Sequence, residues 1–318
     1  MDALWIMLKN VIVFVFLAVP GYLLVKGKIL TSKESGVISK VLTYVGLPFM
    51  ILTSTLKVNF TKDFAASMSI IAVMGVAYTF FMFFATVFLC KSVKDKKKKG
   101  MMRFAMTFAN NGFLGIPLAN AVFGDTKPAV VTFLVVLNIV NNVMLFSLGV
   151  YLVSGDNKTI SLKKVLLSPV LIAFVVGVIL NLTGAAVHIP AVGEYSAYFS
   201  NIVTALSMVV LGIKLAEVPF RKLFLSGNLY YVSFVRLIAF PALSVALMFL
   251  LRWILPVSDD MILGTFVAFV MPTASLASTF ADQYGGDIEG AVTYTLGSTI
   301  FSVGVIPLLY WLLTLILA

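Results

Sequence analysis

The sequence predicts an all-α integral membrane protein of ten transmembrane helices, organised as two inverted repeats of five, with helices 4 and 9 interrupted at matching depth. Three observations predict this. The 318 residues are 61% hydrophobic and 11% charged, where a soluble domain carries about a quarter charged residues. Apolar runs of about 20 residues, each enough to cross roughly 30 Å of hydrocarbon as a helix, recur along the whole length. Two of those runs carry helix-weakening residues at their middles.

The first run, 5–25, has no basic segment ahead of it and no small-residue cleavage pattern. It therefore reads as a retained span rather than a signal peptide. Further runs follow at about 36–56, 64–90, 101–123, 128–153, 166–184, 196–217, 228–255, 261–283 and 289–317. The longest hydrophilic connections are 91–100 and 154–164, and nothing is left over for a soluble domain. Lysine and arginine concentrate in the odd-numbered loops, at Lys26, Lys28, Lys33, Lys91, Lys94, Lys96 to Lys99, Arg103, Lys158, Lys163, Lys164, Arg221 and Lys222. Positive charge stays on the cytoplasmic side, so both termini are expected outside a cytoplasmic membrane. That asymmetry accounts for the net charge of +10 without nucleic acid. The run Lys96 to Lys99 reads as a topology determinant or, less simply, as a patch for anionic lipid or a nucleotide.

An odd helix count in each half requires any repeat to be inverted, dividing the chain into 1–155 and 156–318. A shift of 161 residues places Ser39 on Ser200 and Thr43 on Thr204. It also brings Asn111 onto Pro272, and Asn138 and Asn141 onto Thr299 and Ser302.

The two interruptions are the candidate site. Helix 4 carries Asn110, Asn111, Gly112, Gly115 and Pro117 in "MRFAMTFANNGFLGIPLANAVFG", and helix 9 carries Pro272, Thr273 and Ser275 in "VMPTAS". Proline removes a backbone donor, and asparagine competes for backbone groups with its side chain. Irregular backbone at that depth survives only when buried in protein or lining a wet cavity. Each break creates a helix N-terminus with free N–H groups and partial positive charge, suited to an anion. Two kinks used only for close packing are the alternative; their occurrence at matching places in both halves favours a site. Helix 5 sets Asn138, Asn141 and Asn142 on one face, and helix 10 repeats that spacing with Thr295, Ser298, Thr299 and Ser302. Such faces serve as interhelical hydrogen-bond contacts, as a cavity wall, or as both. Arg236 is the deepest cation, a candidate charge partner for a substrate, or a side chain that snorkels to the interface.

Single copies of Cys90 and His188 leave no disulfide and no histidine-based metal site. No carboxylate falls mid-span, which argues against a carboxylate-held proton or sodium ion. It also argues against an intramembrane enzyme, whose chemistry needs positioned acids, bases or metal ligands.

The stretches "FANNGFLGIPLANAVFG" (108–124) and "MPTASLASTFADQYGGDIEGAVTYTLGSTIFSVGVIPLLYWLL" (271–313) resemble the auxin efflux carrier family of secondary transporters. That family holds plant auxin exporters and bacterial malate permeases, and its fold is akin to bile-acid symporters and sodium–proton antiporters. The resemblance implies that helices 4 and 9 cross at mid-membrane. It also implies a scaffold of helices 1, 2, 6 and 7, which is the expected homodimer surface, and a mobile unit of helices 3–5 and 8–10. Plant members place a proline–asparagine pair at the helix 4 crossover. Here Ala109–Asn110 takes that place, so Asn110 is the expected substrate contact, with Pro272 as its partner. The short 154–164 loop argues for a prokaryotic-type member. The expected function is alternating-access transport of small organic anions, malate-like or auxin-like, without a cofactor. Coupling to H⁺ or Na⁺ is left open, as is the alternative of a sodium-coupled symporter of the bile-acid type. The expected partners are the substrate anion and membrane lipid.

Overall fold

A computed structural model describes residues 2–57, 61–155, 167, 169–184, 190–216 and 224–317. His188, Arg221, Lys222 and residues 156–164 of the predicted loop lie outside these. The described chain is helical, and its one extended feature is an isolated antiparallel bridge between Ala109 and Thr273.

The helices are α1 (Asp2–Lys26), α2 (32–56), α3 (Lys62–Leu89), α4a (Lys96–Thr107), α4b (Asn111–Phe123) and α5 (Pro128–Ser154). They continue as α6 (Pro169–Leu182), α7 (Pro190–Leu215), α8 (Gly227–Leu251), α9a (Asp259–Val270), α9b (Ala277–Tyr284) and α10 (Ile288–Leu317). Several starts follow from local chemistry. Thr61, Asp95 and Ser258 stand at N-caps, where their side-chain oxygens accept from the N–H groups of Phe64, Lys98 and Met261. Lys96 to Lys99 form the first turn of α4a, where positive charge opposes the helix dipole. Asp95 is the one acidic group at that end.

Among the described residues, six helices are long and apolar enough to cross a membrane by length and composition: Gly36–Thr53, Lys62–Leu89, Pro128–Ser154, Gly193–Leu215, Gly227–Leu251 and Ile288–Leu317. Shorter apolar helices stand at Phe16–Lys26, Asn111–Phe123 and Leu171–Leu182. Among the described residues, the ten expected runs are not all matched by full-length spans. Runs 4 and 9 fall short because each is built from two half-helices.

Among the described residues, four helices contain a widened, π-helical turn, in which an N–H reaches back five residues instead of four. Leu47 N–H bonds Leu42 O in α2, Ile116 N–H bonds Asn111 O in α4b, Val150 N–H bonds Leu145 O in α5, and Phe240 N–H bonds Val235 O in α8. In three cases a proline follows at once: Pro48, Pro117 and Pro241. A proline ring clashes with the carbonyl four residues before it, and the extra residue in the preceding turn moves that carbonyl aside. The helix continues past each proline for that reason.

Large apolar side chains cover the outside, among them Phe16, Leu23, Phe84, Phe88, Leu182, Tyr198 and Leu250, all exposed. Buried inside are Asn110, Asn111, Asn138, Arg236, Thr273, Ser298 and Thr299. Apolar surface outside with polar groups within is the arrangement of a multi-pass membrane protein.

Helices α1 and α7 meet through two glycines. A Cβ added to Gly21 would stand 2.0 Å from Val209 O, and one added to Gly212 would stand 1.9 Å from Ala18 O. The backbones therefore touch, as small residues permit between membrane helices. α7 also packs on α2, and α2 on α6. α5 contacts α3, α4b and α9a, and α10 contacts α1, α4a and α8.

Candidate functional site

The two breaks arise differently. In α9, Pro272 pushes the preceding residue out of the helical region, and Met271 is accordingly extended at φ −64°, ψ 145°. At the α4 break, Phe108 to Asn110, there is no proline. Phe108 turns extended at φ −103°, ψ 131°, and Asn110 adopts φ −84°, ψ 56° before α4b begins.

The two extended pieces then bond to each other. Asn110 N–H donates to Pro272 O at 2.8 Å, and Ala274 N–H donates to Phe108 O at 2.9 Å. These bonds flank the pair Ala109–Thr273, leaving its main-chain groups directed away from the bridge, as in a non-hydrogen-bonded antiparallel pair. Neighbouring helices serve them. Asn141 of α5 takes both sides of Ala109: its Nδ2 donates to Ala109 O at 3.2 Å and its Oδ1 accepts from Ala109 N–H at 3.4 Å. Ser298 Oγ of α10 accepts from Thr273 N–H at 3.1 Å. The Thr273 hydroxyl donates to Ala105 O at 3.0 Å, near the end of α4a. The crossing is thus a hydrogen-bonded knot that replaces the bonds lost at the breaks.

The C-terminal ends of the two leading half-helices converge on Arg236, which has no exposed surface. Its Nη1 donates to Met106 O and Thr107 O, both at 3.2 Å, on α4a. Its Nε donates to Met271 O at 2.9 Å and its Nη2 to Phe269 O at 3.1 Å, on α9a. Arg236 does not snorkel. It lies in the π-turn of α8, and the backbone ends created by the breaks are its partners. Beside it the Tyr78 hydroxyl donates to Phe240 O, and the Tyr78 ring meets Phe269 edge-on.

The first turn of α4b packs on α5, and both carry amide side chains without partners. Asn111 is 3% exposed and its buried Oδ1 has no hydrogen bond. The side-chain amides of Asn110, Asn138 and Asn142 also bond to nothing among the described residues. Gly112 lies beside one of them: a Cβ there would be 3.9 Å from Asn138 Oδ1 and 3.8 Å from Leu47 Cδ1. Unpaired polar groups in a membrane interior are costly, so these amides mark a place where a polar ligand has hydrogen-bonding groups to meet. The first turn of α4b, at Asn111, and that of α9b contain no acidic residue.

Of the residues singled out by sequence, Asn110, Asn111, Gly112, Asn138 and Asn142 fall on the α4b side, and Pro272 and Thr273 form the bridge. Ser275 is half-buried just past the bridge. Thr299 is buried but donates to Thr295 O at 2.7 Å in its own helix, as Ser302 does to Thr299 O. The residues that fix the knot, Asn141 and Ser298, stood on the two polar faces but were not distinguished from their neighbours. The bridge pairs Ala109 with Thr273, whereas the sequence shift set Asn111 on Pro272. Among the described residues, no group of His, Cys, Asp and Glu is placed to hold a metal ion.

Residues 6–310 match the model of the membrane transport protein family, the auxin efflux carrier grouping. The chain belongs to that family. It is also similar to an uncharacterized transporter of Methanothermobacter thermautotrophicus, 26% identical over 304 residues, covering 94% of this chain and 96% of the relative. An uncharacterized transporter of Methanocaldococcus jannaschii is 25% identical over 313 residues, covering 95% and 97%. These archaeal relatives accord with a prokaryotic-type member of the auxin efflux carrier family.

Proposed function

We propose that this transporter carries small organic anions, malate-like or auxin-like carboxylates, across the cytoplasmic membrane by alternating access. The observation that carries the reading is the set of unpartnered asparagine amides at the start of α4b and on the facing α5, beside a half-helix N-terminus that holds no acidic side chain. Amide N–H donors and the positive ends of helices both favour a carboxylate. Ten crossings in two inverted halves fit this reading, with both termini outside. The packing of α1, α2, α6 and α7 on one another matches a scaffold that dimerises, against which α3–α5 and α8–α10 move. Asn110, Asn111, Gly112, Asn138, Asn142, Pro272, Thr273, Ser275 and Thr299 form the substrate region. A sodium-coupled symporter, the second reading, needs a cation near converging carbonyls, and Arg236 already takes four of these.

Purified protein in proteoliposomes, screened for uptake and counterflow over mono- and dicarboxylates with and without Na⁺ and a pH gradient, tests the reading. Gly112→Ala is the sharpest variant. Its new methyl makes ordinary contact at 3.8–3.9 Å, so the fold is kept while the amide cluster is narrowed. Carboxylate flux falls in Gly112→Ala and in Asn110→Ala with melting temperature unchanged. Undiminished flux in both variants refutes the site, and a wild type that moves no carboxylate refutes the substrate class.

A further inference from the structure

Arg236 has a role beyond that reading, although its statement rests on the anion site just described. Each helix end carries about half an elementary charge, negative at the C-terminus. The ends of α4a and α9a meet at Met106, Thr107, Phe269 and Met271, so together they present roughly one negative charge and four inward carbonyls. Converging main-chain carbonyls are what a protein uses to hold an alkali or alkaline-earth cation. Here a single guanidinium, always protonated, meets all four. The opposite ends, at α4b and α9b, have no side-chain counterpart in their first turns. One pole of the crossing is neutralised by the chain itself, and the other is left positive.

We infer that Arg236 sets the sign of charge the crossing accepts. It is a specificity-determining, positioning residue that cancels the negative half-helix ends and so leaves a net positive site for an anion, without touching the substrate. Without its charge, the four carbonyls become a cation site in the same knot, and the attraction for anions on the far side weakens. Tyr78 is no substitute. Its hydroxyl is spent on Phe240 O, and a phenol carries no positive charge.

The test uses the full-length protein and two substitutions, Arg236→Lys, which keeps the charge, and Arg236→Met, which removes it at similar length. Thermal unfolding is followed in sodium chloride against choline chloride at equal ionic strength, and then with choline benzoate and choline malate. Wild type and Arg236→Lys are expected to show the same midpoint in sodium and choline. Arg236→Met is expected to gain a sodium-dependent rise in midpoint and to lose roughly tenfold or more in carboxylate affinity. Folded Arg236→Met that ignores sodium overturns the inference. Should Arg236→Met fold in neither salt, Arg236→Lys decides alone. A sodium response in that folded variant, or a carboxylate affinity more than about tenfold below wild type, overturns the charge role in favour of guanidinium geometry. If wild type responds to no carboxylate, the proposed function fails, while the sodium arm still reads Arg236 independently.

Discussion

Replacing Asn141 with alanine removes two hydrogen bonds at once, because one amide serves both the N–H and the carbonyl of Ala109. Ala109 is 5% exposed, so water does not readily take over. Leaving a buried main-chain group unpaired costs about 1–3 kcal/mol, which bounds the pair at about 2–6 kcal/mol. The observed lengths of 3.2 and 3.4 Å exceed the usual ~2.9 Å, so the lower end, about 2–3 kcal/mol, is expected. Ser298→Ala removes one partner, that of Thr273 N–H at 3.1 Å, and is expected to cost about 1–2 kcal/mol. Asn141→Asp is the discriminating control. It keeps an acceptor for Ala109 N–H but sets a carboxylate against Ala109 O, so it falls below alanine. Denaturant-dependent unfolding in one detergent, with all four proteins in parallel, gives the order wild type, Ser298→Ala, Asn141→Ala, Asn141→Asp. An Asn141→Ala protein as stable as wild type shows that α5 does not hold the break. An aspartate variant more stable than alanine shows that the amide donor is not what matters.

The α1–α7 contact gives a steric prediction. Gly212→Ala places a methyl 1.9 Å from Ala18 O and 2.9 Å from Tyr22 N, which rigid backbone cannot absorb, so the helices separate and the melting temperature drops. Gly304→Ala, with nothing within 4 Å of the new carbon, stays within about 0.5 kcal/mol of wild type; equal effects from the two variants would refute the close approach. Asp95 gives a pH dependence. The Lys98 N–H that it accepts, helped by that of Lys97 and by both lysine charges, holds its carboxyl below the usual aspartate value. A folded value below the unfolded one means the stabilisation is complete above the ordinary carboxylate range and is lost as pH falls through the depressed value. The melting-temperature gap between wild type and Asp95→Asn therefore closes on acidification, and a gap that widens contradicts the cap.

Residue types that disagree with a membrane interior were legible in the sequence, and their partners were not. The helical class and the places of both breaks followed from Asn110–Asn111 and from Pro272 standing in apolar runs. The bridge pairs Ala109 with Thr273, whereas the sequence shift set Asn111 on Pro272, and the breaks have different causes. Pro272 expels the residue before it from the helix, whereas Asn110 stands at the end of its extended piece, so aligning the most unusual residues does not align the backbones. Asn141 was indistinguishable from Asn138 and Asn142 because the three share one face, and only the path of Ala109 across that face selects one of them. Arg236 shows the limit most plainly. Its acceptors are carbonyl oxygens, which every residue possesses, so no side chain in the sequence marks them. They become acceptors only because two helices stop, 33 to 35 residues ahead of Arg236 in α9a and about 130 residues before it in α4a. A buried charge whose sequence offers no opposite charge can therefore be read as a pointer to broken backbone, and the two breaks already visible in this chain were the place to look.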